Sequence, residues 1–198
     1  MPGKFIVFEG LDGSGQSTQT RLLAEFLTRK GREVVITKEP TGESEAGKKI
    51  REALAQRIVV TPRGLQELFA EDRQEHLERV ILPALTEGKY VISDRYMFSS
   101  FAFGAIECDL EWLIELNREF PMPDLAFFLA ISPEKAVSRI EKRGKPKELF
   151  EETEKLKKVD ENYRKLLTRF PCMKLVNGEQ SEEAVHAEVV KIVMPVLQ

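Results

Sequence analysis

Cysteine is scarce in this 198-residue sequence, which contains two cysteines and two histidines. Cys108 and Cys172 lie far apart, without a CxxC spacing and without a histidine beside either of them. This pattern predicts neither a zinc site nor a disulfide framework. A reducing compartment, the cytoplasm, is therefore the expected location.

Long hydrophobic runs and an excess of one charge are also missing. The longest apolar run, Leu125 to Ile131, is far too short to span a bilayer, and the first residues lead directly into a strand rather than a leader. The formal net charge is only −3, without long blocks of like charge. We therefore expect no nucleic-acid or membrane partner. A composition of 42% hydrophobic and 32% charged residues indicates one soluble domain over residues 1–198.

A glycine-rich stretch near the start, KFIVFEGLDGSGQSTQTRLLAEFL, organises the chain. It predicts a short buried strand, a tight turn and a helix in immediate succession. The backbone N–H groups of such a turn, together with the positive end of the helix, form a site for phosphate oxygens. The turn and helix start comprise Gly10, Asp12, Gly13, Ser14, Gly15, Gln16, Ser17 and Thr18.

The spacing of Gly10, Gly15 and Ser17 is that of the P-loop, in which serine or threonine binds magnesium. Gln16, however, occupies the position of the motif's lysine. Its neutral amide cannot deliver a positive charge to the terminal phosphates, so the catalytic rate is affected more than the fold. The alternative is a strand-turn-helix corner without a ligand, which the three glycines and Ser17 disfavour.

Other candidate residues follow strands at the same predicted sheet edge. Asp94 and Arg95 follow the third strand, where Asp94 can hold magnesium-bound water and Arg95 can clamp a phosphate. Alternatively, Asp94 caps the next segment and pairs with Arg95. Glu39 follows the second strand and either orients substrate or is simply solvated.

Two helical or loop segments add aromatic and basic groups. Phe69 and Arg73 lie one turn apart on a long helix, a pairing that can stack and read a base or can equally be a core aromatic beside a surface charge. Residues 143–150 begin with a basic segment broken by glycine and proline. This segment predicts a lid over polyphosphate, or else a solvated loop. Five strands alternating with helices predict an α/β fold in which one parallel sheet is covered on both faces.

The chain as a whole resembles the thymidylate kinases, within the P-loop nucleoside-monophosphate kinase group. EGLDGSGQSTQ resembles the family's phosphate loop apart from Gln16, and TKEPTG resembles its second-strand loop. LFAEDR resembles the helix that carries the base-binding residues, and DRYMFSS is the most specific motif. MPDLAFFLAISPEKAVSRI resembles the fourth strand and following helix, and RGKPKELFEE resembles an archaeal-type lid. The resemblance therefore implies the three-layer P-loop NTPase fold with a short basic lid.

The resemblance also implies an activity: transfer of the γ-phosphoryl group of ATP to thymidine 5′-monophosphate (dTMP), with Mg²⁺, by a homodimer. It assigns ATP binding to the glycine loop and Arg139, magnesium binding to Ser17 and Asp94, and catalysis to Asp12, Asp94 and Arg95. It assigns substrate binding to Glu39, Phe69, Arg73, Arg95, Ser99, Ser100 and Phe103.

Two departures from the family pattern lead to further hypotheses. Because the phosphate loop lacks both lysine and arginine, Arg143 and Lys145 of the lid are predicted to be catalytic and to compensate for Gln16. Phe103 lacks the hydroxyl that many members carry, and its ring is predicted to exclude a ribose 2′-hydroxyl. A kinase for another nucleoside monophosphate and a nucleotide-binding pseudokinase remain the alternatives.

Overall fold

A computed structural model describes residues 3–142 and 148–197. In this part of the chain, five parallel strands form one sheet in the order β2-β3-β1-β4-β5. The predicted α/β architecture is confirmed. The strands are β1 Lys4–Gly10, β2 Val34–Lys38, β3 Tyr90–Asp94, β4 Leu125–Ala130 and β5 Met173–Asn177.

Helices cover both faces of the sheet, as expected for parallel strands. They are α1 Gln16–Arg29, α2 Glu45–Leu54, α3 Pro62–His76, α4 Leu82–Thr86, α5 Met97–Gly104, α6 Leu110–Leu116, α7 Pro133–Lys142, α8 Thr153–Arg169 and α9 Glu182–Val193, followed by a 3₁₀ turn, Met194–Leu197.

The central strand β1 divides the hydrophobic core in two. Phe5 and Val7 belong to a cluster with buried side chains of α5 and α8, whereas Ile6 and Phe8 belong to one with α1 and α9. This division follows from the alternation of side chains along a strand. The sheet is therefore the middle layer of three.

The sequence pattern from Thr61 to Glu87 predicts one long helix that Pro83 interrupts; the helix is present but locally underwound. A π-helical turn, Leu77–Ile81, separates α3 from α4, and Pro83 lies in the first turn of α4. Proline has no N–H to donate to the preceding turn, so the interruption lies where the sequence predicts one. Thr61 begins α3 by accepting a hydrogen bond from the Gly64 N–H at 3.1 Å.

The register of the strands brings candidate residues to one edge of the sheet. Asp94 of β3 is level with Phe8 of β1 on one side and with Lys38 of β2 on the other. The glycine-rich loop leaves β1 at the same edge. The expected adjacency of the first and third strands is confirmed.

Candidate active site

The glycine-rich loop between β1 and α1 has positive φ angles, 152° at Gly10 and 82° at Gly13. Side chains are strained in this conformation. A Cβ atom at Gly10 would also lie 2.5 Å from the Oγ atom of Ser14 and 2.9 Å from the carbonyl oxygen of Leu129. Among the described residues, the buried Ser14 hydroxyl has no hydrogen-bond partner. The loop therefore needs glycine for its shape and keeps a polar group free for a ligand.

Gln16 folds back onto this loop. Its Nε2 atom donates a hydrogen bond to the carbonyl oxygen of Gly10 at 3.0 Å, and the residue is only 5% exposed. The same oxygen accepts a hydrogen bond from Nη1 of Arg95 at 2.9 Å. Gln16 thus stabilises the loop but brings no charge to it.

Arg95 is held beside the glycine loop by several contacts. Its Nη2 atom lies 2.9 Å from Oδ1 of Asp12, Nη1 donates to Oγ of Ser99 at 3.1 Å, and the guanidinium lies 5.3 Å from the centre of the Phe103 ring. Burial alone would lower the pKa of Arg95, but the acidic groups around it, Asp12 first and then Tyr163, Asp94 and Glu9, together outweigh this effect and the pKa is raised. The φ angle of Arg95 is 75°, a conformation that non-glycine residues adopt mainly at functional sites. The result is a fixed cation.

Asp94 lies on the other side of the loop, next to the start of α1. Its Oδ2 atom accepts a hydrogen bond from Oγ of Ser17 at 2.5 Å and lies 3.4 Å from Nζ of Lys38. Asp94 therefore does not cap α5, whose N-cap residue is Tyr96, and Arg95 pairs with Asp12 instead.

The pair formed by Ser17 and Asp94 fits a magnesium ion. Mg²⁺ is commonly bound by one or two protein oxygens, water and the phosphates of a nucleotide. Within residues 3–142 and 148–197, no group of three histidine, cysteine or acidic residues forms a metal cluster. An ion at Ser17 and Asp94 would therefore depend on oxygens of a bound nucleotide.

Glu39 is buried rather than solvated. Its Oε2 atom lies 2.8 Å from Nη2 and 3.0 Å from Nε of Arg73, and both side chains are almost fully buried. Its Oε1 atom lies 3.1 Å from Nδ1 of His76, whose Nε2 atom contacts Oγ1 of Thr37 at 2.5 Å. Glu39 therefore joins β2 to α3.

Arg73 uses all three guanidinium nitrogens in contacts within the protein. Besides Glu39, it donates to Oδ1 of Asn117 and, at 3.2 Å, to Oγ of Ser100. The guanidinium also lies 5.1 Å from the centre of the Tyr96 ring. These contacts fix its orientation at the floor of a cavity, and base reading by Arg73 stays a prediction.

A cavity of about 710 Å³ opens beside Arg73, between α3, α5 and the loop after β2. It is large enough for a nucleotide-sized ligand. Gln16, Ser17, Asp94 and Arg139 lie outside its lining. The predicted acceptor residues all line it: Asp12, Glu39, Phe69, Arg73, Arg95, Ser99, Ser100 and Phe103.

Arg139 projects from α7 onto the outer side of the glycine loop. Its Nη1 atom donates to the carbonyl oxygen of Gly13 at 2.7 Å. A Cβ atom at Gly13 would lie 3.1 Å from the Cβ of Arg139, so the absence of a side chain there permits this close packing. Packing of Arg139 on adenine stays a prediction.

The predicted lid spans residues 143–150, of which the structure describes 148–150. Arg143 and Lys145 belong to residues 143–147, outside the described residues. The chain that follows returns to the cavity: the N–H of Leu149 donates to the carbonyl oxygen of Leu54 at 3.0 Å, and the ring of Phe150 packs 5.5 Å from that of Phe103. The C-terminal end of the predicted lid therefore contributes to the cavity wall.

Glu9 is a buried carboxyl group that we did not predict as a site residue. It accepts hydrogen bonds from the N–H of Tyr96 at 2.9 Å, from Oγ of Ser99 at 2.6 Å and from the hydroxyl of Tyr163 at 2.9 Å. Burial raises its pKa to about 7, although these hydrogen bonds and nearby Arg95 oppose the rise. Through Ser99, Glu9 supports the position of Arg95.

Comparison with known proteins identifies the family. A family model described as thymidylate kinase matches residues 8–189. The chain is 46% identical to a probable thymidylate kinase of Pyrococcus horikoshii, with 98% of this chain and 97% of that protein covered. It is 40% identical to a thymidylate kinase of Desulfotalea psychrophila, covering 100% of this chain and 97% of that protein. The chain belongs to the thymidylate kinase family.

Membership in this family makes the chain a nucleoside-monophosphate kinase, a phosphotransferase that uses ATP. The resemblance predicted from the sequence motifs is confirmed. Neither the pseudokinase nor a kinase of another specificity is favoured by the comparisons. In the part of the chain that the structure describes, no helix is both long and apolar enough to cross a membrane.

Three further polar residues of the site were not predicted, although two had a signal in the sequence. Glu9 is a single carboxylate between an apolar strand and the first glycine, and His76 follows Arg73 by one helical turn. Asp72, by contrast, reads as a surface charge. In the structure it is buried, and it accepts hydrogen bonds from the N–H of Thr41 at 2.8 Å and from the hydroxyl of Ser44. Both donors are about 30 residues away in sequence, so only the tertiary fold brings them close to Asp72.

Proposed function

We propose that this kinase transfers the γ-phosphoryl group of ATP to dTMP, producing dTDP and ADP, and thereby supplies a precursor of dTTP. The observation that supports this proposal is the ion pair between Asp12 and Arg95. Asp12 belongs to the glycine loop and Arg95 to the acceptor cavity, so the pair lies where two nucleotides would meet end to end. This arrangement suits direct transfer between bound nucleotides.

In the proposed reaction, an oxygen of the dTMP phosphate attacks the γ-phosphorus of ATP. The bond between the γ-phosphorus and the bridging oxygen breaks, and ADP leaves with that oxygen. The protein contributes mainly position and charge, because the transferred group carries its negative charge on its equatorial oxygens. The backbone N–H groups from Gly13 to Thr18 would hold the ATP phosphates, and Arg95 would hold the acceptor phosphate.

Magnesium is the proposed cofactor, held by Ser17 and Asp94. When bound, it would neutralise phosphate charge and orient the β- and γ-phosphates. Asp94 accepts a hydrogen bond from the hydroxyl of Ser17 and lies near Lys38, so the two oxygens of the proposed site are already adjacent. Calorimetric titration of the protein and its Asp94→Asn variant with Mg²⁺ and a non-hydrolysable ATP analogue would test this assignment.

The missing charge of the glycine loop is the main obstacle to catalysis. We expect Arg143 and Lys145 of the predicted lid to provide it. The acceptor side of the reaction has its cation in Arg95, so the lid is needed on the donor side.

A coupled ADP-release assay with ATP and a panel of monophosphates tests the proposal. We expect dTMP to give the highest kcat/KM among dTMP, dUMP, dCMP, dGMP and UMP. A clear preference for another nucleotide would indicate a different specificity. No release above the rate without acceptor, for every nucleotide in the panel, would indicate a pseudokinase.

Assembly follows from the family resemblance and location from the scarcity of cysteine, and both remain proposals. We propose a cytoplasmic homodimer formed through the amphipathic helices, with residues 1–198 as one domain. Light scattering coupled to size-exclusion chromatography would test the dimer, since one chain has a mass of 22.6 kDa.

A further inference from the structure

Gln66 lies in the acceptor cavity with unused hydrogen-bonding capacity. The residue is 3% exposed and lines the cavity, and its buried Oε1 atom accepts no hydrogen bond from any described residue. A buried polar atom without a partner costs about 1 to 3 kcal/mol, so such atoms are rare in folded proteins. A ligand that supplies the missing donor would explain why the cost is tolerated.

The side-chain amide of Gln66 packs directly against Gly104 of α5. Its Cδ, Oε1 and Nε2 atoms lie 2.9, 3.0 and 3.1 Å from the position that a Cβ atom at Gly104 would occupy. Any larger residue at position 104 would displace the amide. Gly104 therefore gives the flat group a place against α5, next to Phe103.

The position of Gln66 on α3 matches that of the proposed base-binding residues. Gln66, Phe69 and Arg73 follow one another at intervals of three and four residues, so they share one face of the helix. All three line the cavity. A base stacked on Phe69 would therefore present its edge to Gln66 or to Arg73.

Other polar groups near this face are already engaged. Arg73 contacts Glu39, Asn117 and Ser100 with its three nitrogens. Glu39 also contacts His76. Gln66 differs from them because its carbonyl oxygen has no protein partner among the described residues.

We propose that the carboxamide of Gln66 binds the N3–H group and an adjacent carbonyl of the thymine base, as a specificity-determining residue. This inference rests on the proposed function. Thymine presents a donor, N3–H, flanked by two carbonyl acceptors. A carboxamide presents one acceptor and a pair of donors, so the two edges can form parallel hydrogen bonds. Arg73 beside it is a pure donor and a cation, which favours a carbonyl at C4 over the amino group of cytosine.

The test compares dTMP with 3-deazathymidine monophosphate, a 4-hydroxy-2-pyridone in which C–H replaces N3–H and an enol hydroxyl replaces the C4 carbonyl. The analogue therefore changes the hydrogen-bonding edge of the base without a large change in its shape. A good pair of base-edge hydrogen bonds discriminates by about 10- to 100-fold. We therefore expect the wild-type enzyme to prefer dTMP by about this factor in kcat/KM. In Gln66→Leu, kcat/KM for dTMP should fall and the ratio of the two substrates should decrease, leaving only the part of the preference that depends on the C4 carbonyl.

Two further variants separate this role from a structural one. Gln74→Leu is the matched control, since Gln74 lies on the exposed face of the same helix and bonds to Glu78. It should leave the substrate ratio unchanged. Gly104→Ala should reduce the ratio, because the added Cβ atom displaces the Gln66 amide. The midpoint of thermal unfolding without ligand should not fall in Gln66→Leu, since the apolar side chain removes an unpaired buried acceptor.

The outcomes distinguish failure of this inference from failure of the proposed function. If the wild type releases no ADP with dTMP, the proposed function fails. If it phosphorylates dTMP but uses the 3-deaza analogue equally well, the role of Gln66 is wrong and the kinase activity stands. Retention of the wild-type ratio in Gln66→Leu would overturn it too. If that variant does not fold, the wild-type ratio and Gly104→Ala still decide the matter.

Discussion

Gln16 and Arg95 donate to the same acceptor, the carbonyl oxygen of Gly10, at 3.0 and 2.9 Å. Gln16 reaches this oxygen from α1, whereas Arg95 reaches it from the acceptor side and carries the charge. The Gly10 carbonyl is therefore held from two sides, and of these two side chains Arg95, on the acceptor side, is the one that carries a charge. A charge for the donor phosphates has to come from elsewhere.

Replacing Gln16 with lysine tests how much charge the donor side lacks. If the lid cations already compensate, Gln16→Lys should raise kcat by no more than about tenfold, equivalent to about 1.4 kcal/mol of transition-state stabilisation. Turnover at saturating ATP and dTMP measures this change. Gln180→Lys, at an exposed position, is the control for a mere change in net charge. A gain of several hundredfold would show that compensation is absent, and so would an inert wild type with little gain.

The compensation itself predicts a loss when the lid charges are removed. The double variant Arg143→Ala with Lys145→Ala should lower kcat by about 100-fold, a typical effect of deleting a group that stabilises transferred charge. Adding Gln16→Lys should recover part of this loss. Replacement of Lys157 and Lys158, two exposed cations of α8, by alanine should leave kcat unchanged. Turnover that survives the loss of both lid cations would reject the hypothesis.

Glu9 should make stability depend on pH. Burial raises its pKa from 4.5 to about 7, so between these values the folded protein binds more protons than the unfolded chain. The contribution of Glu9 to stability is thus fully present below about pH 4.5 and is lost as the pH rises to about 7, where it levels off. The full loss is on the order of 3 kcal/mol.

Glu9→Gln provides the measurement for this effect. Urea unfolding of the wild type and the variant is measured from pH 4.5 to 8. The difference between their unfolding free energies should change between about pH 4.5 and 7 and should be constant from about pH 7 to 8. Taking the difference removes the contributions of Arg95, Asp12 and the other titrating groups that the two proteins share. A difference that is constant with pH would show that Glu9 titrates normally.

The strands and the glycine loop were predictable because their signals are local. Apolar runs such as Leu125–Ile131 and the glycines at positions 10, 13 and 15 specify structure within a few residues. The boundaries were less exact: the fourth strand ends at Ala130, one residue before the apolar run ends at Ile131. Helix and strand ends depend on hydrogen bonds that the pattern alone does not fix.

The contacts between polar residues of the site were not predictable, since they join distant segments. From the sequence alone, Glu39 is equally consistent with a solvated loop, whereas in the structure α3 places Arg73 and His76 against it. The contact of Gln66 was not predictable for the same reason. Its position on a helix is evident from the sequence, but its packing against Gly104 depends on how α3 crosses α5.

Glu39 and Arg73 form a buried pair, so removing one partner should be costly. Glu39→Ala leaves a guanidinium uncompensated in the protein interior and should lower the free energy of unfolding by about 3 to 5 kcal/mol. The KM for dTMP should rise as well, because the pair fixes the floor of the cavity. Chemical denaturation and steady-state kinetics measure the two effects. Glu33→Ala, at an exposed position before β2 and outside the cavity lining, should change neither. Equal stability of the two variants would contradict the structural role of the pair.

Phe103 should set the preference for deoxyribose. Its ring lines the cavity and is held between the guanidinium of Arg95, at 5.3 Å, and the ring of Phe150, at 5.5 Å. A rigid aromatic wall rejects an added hydroxyl more strongly than a mobile side chain does, so the wild type should prefer dUMP over UMP by at least about tenfold in kcat/KM. Phe103→Ala should reduce this ratio to about two or three, with UMP gaining in absolute rate.

The matched control for Phe103 is Phe69→Ala, in the same cavity. Phe69 is predicted to stack on the base rather than to contact the sugar, so its loss should weaken dUMP and UMP together and leave their ratio unchanged. Both variants remove a phenyl ring from the same cavity. A general loosening of the site would therefore lower the dUMP-to-UMP ratio of kcat/KM in both variants, whereas steric exclusion by Phe103 lowers it only in Phe103→Ala. Comparable kcat/KM values for dUMP and UMP in the wild type would contradict steric exclusion by Phe103.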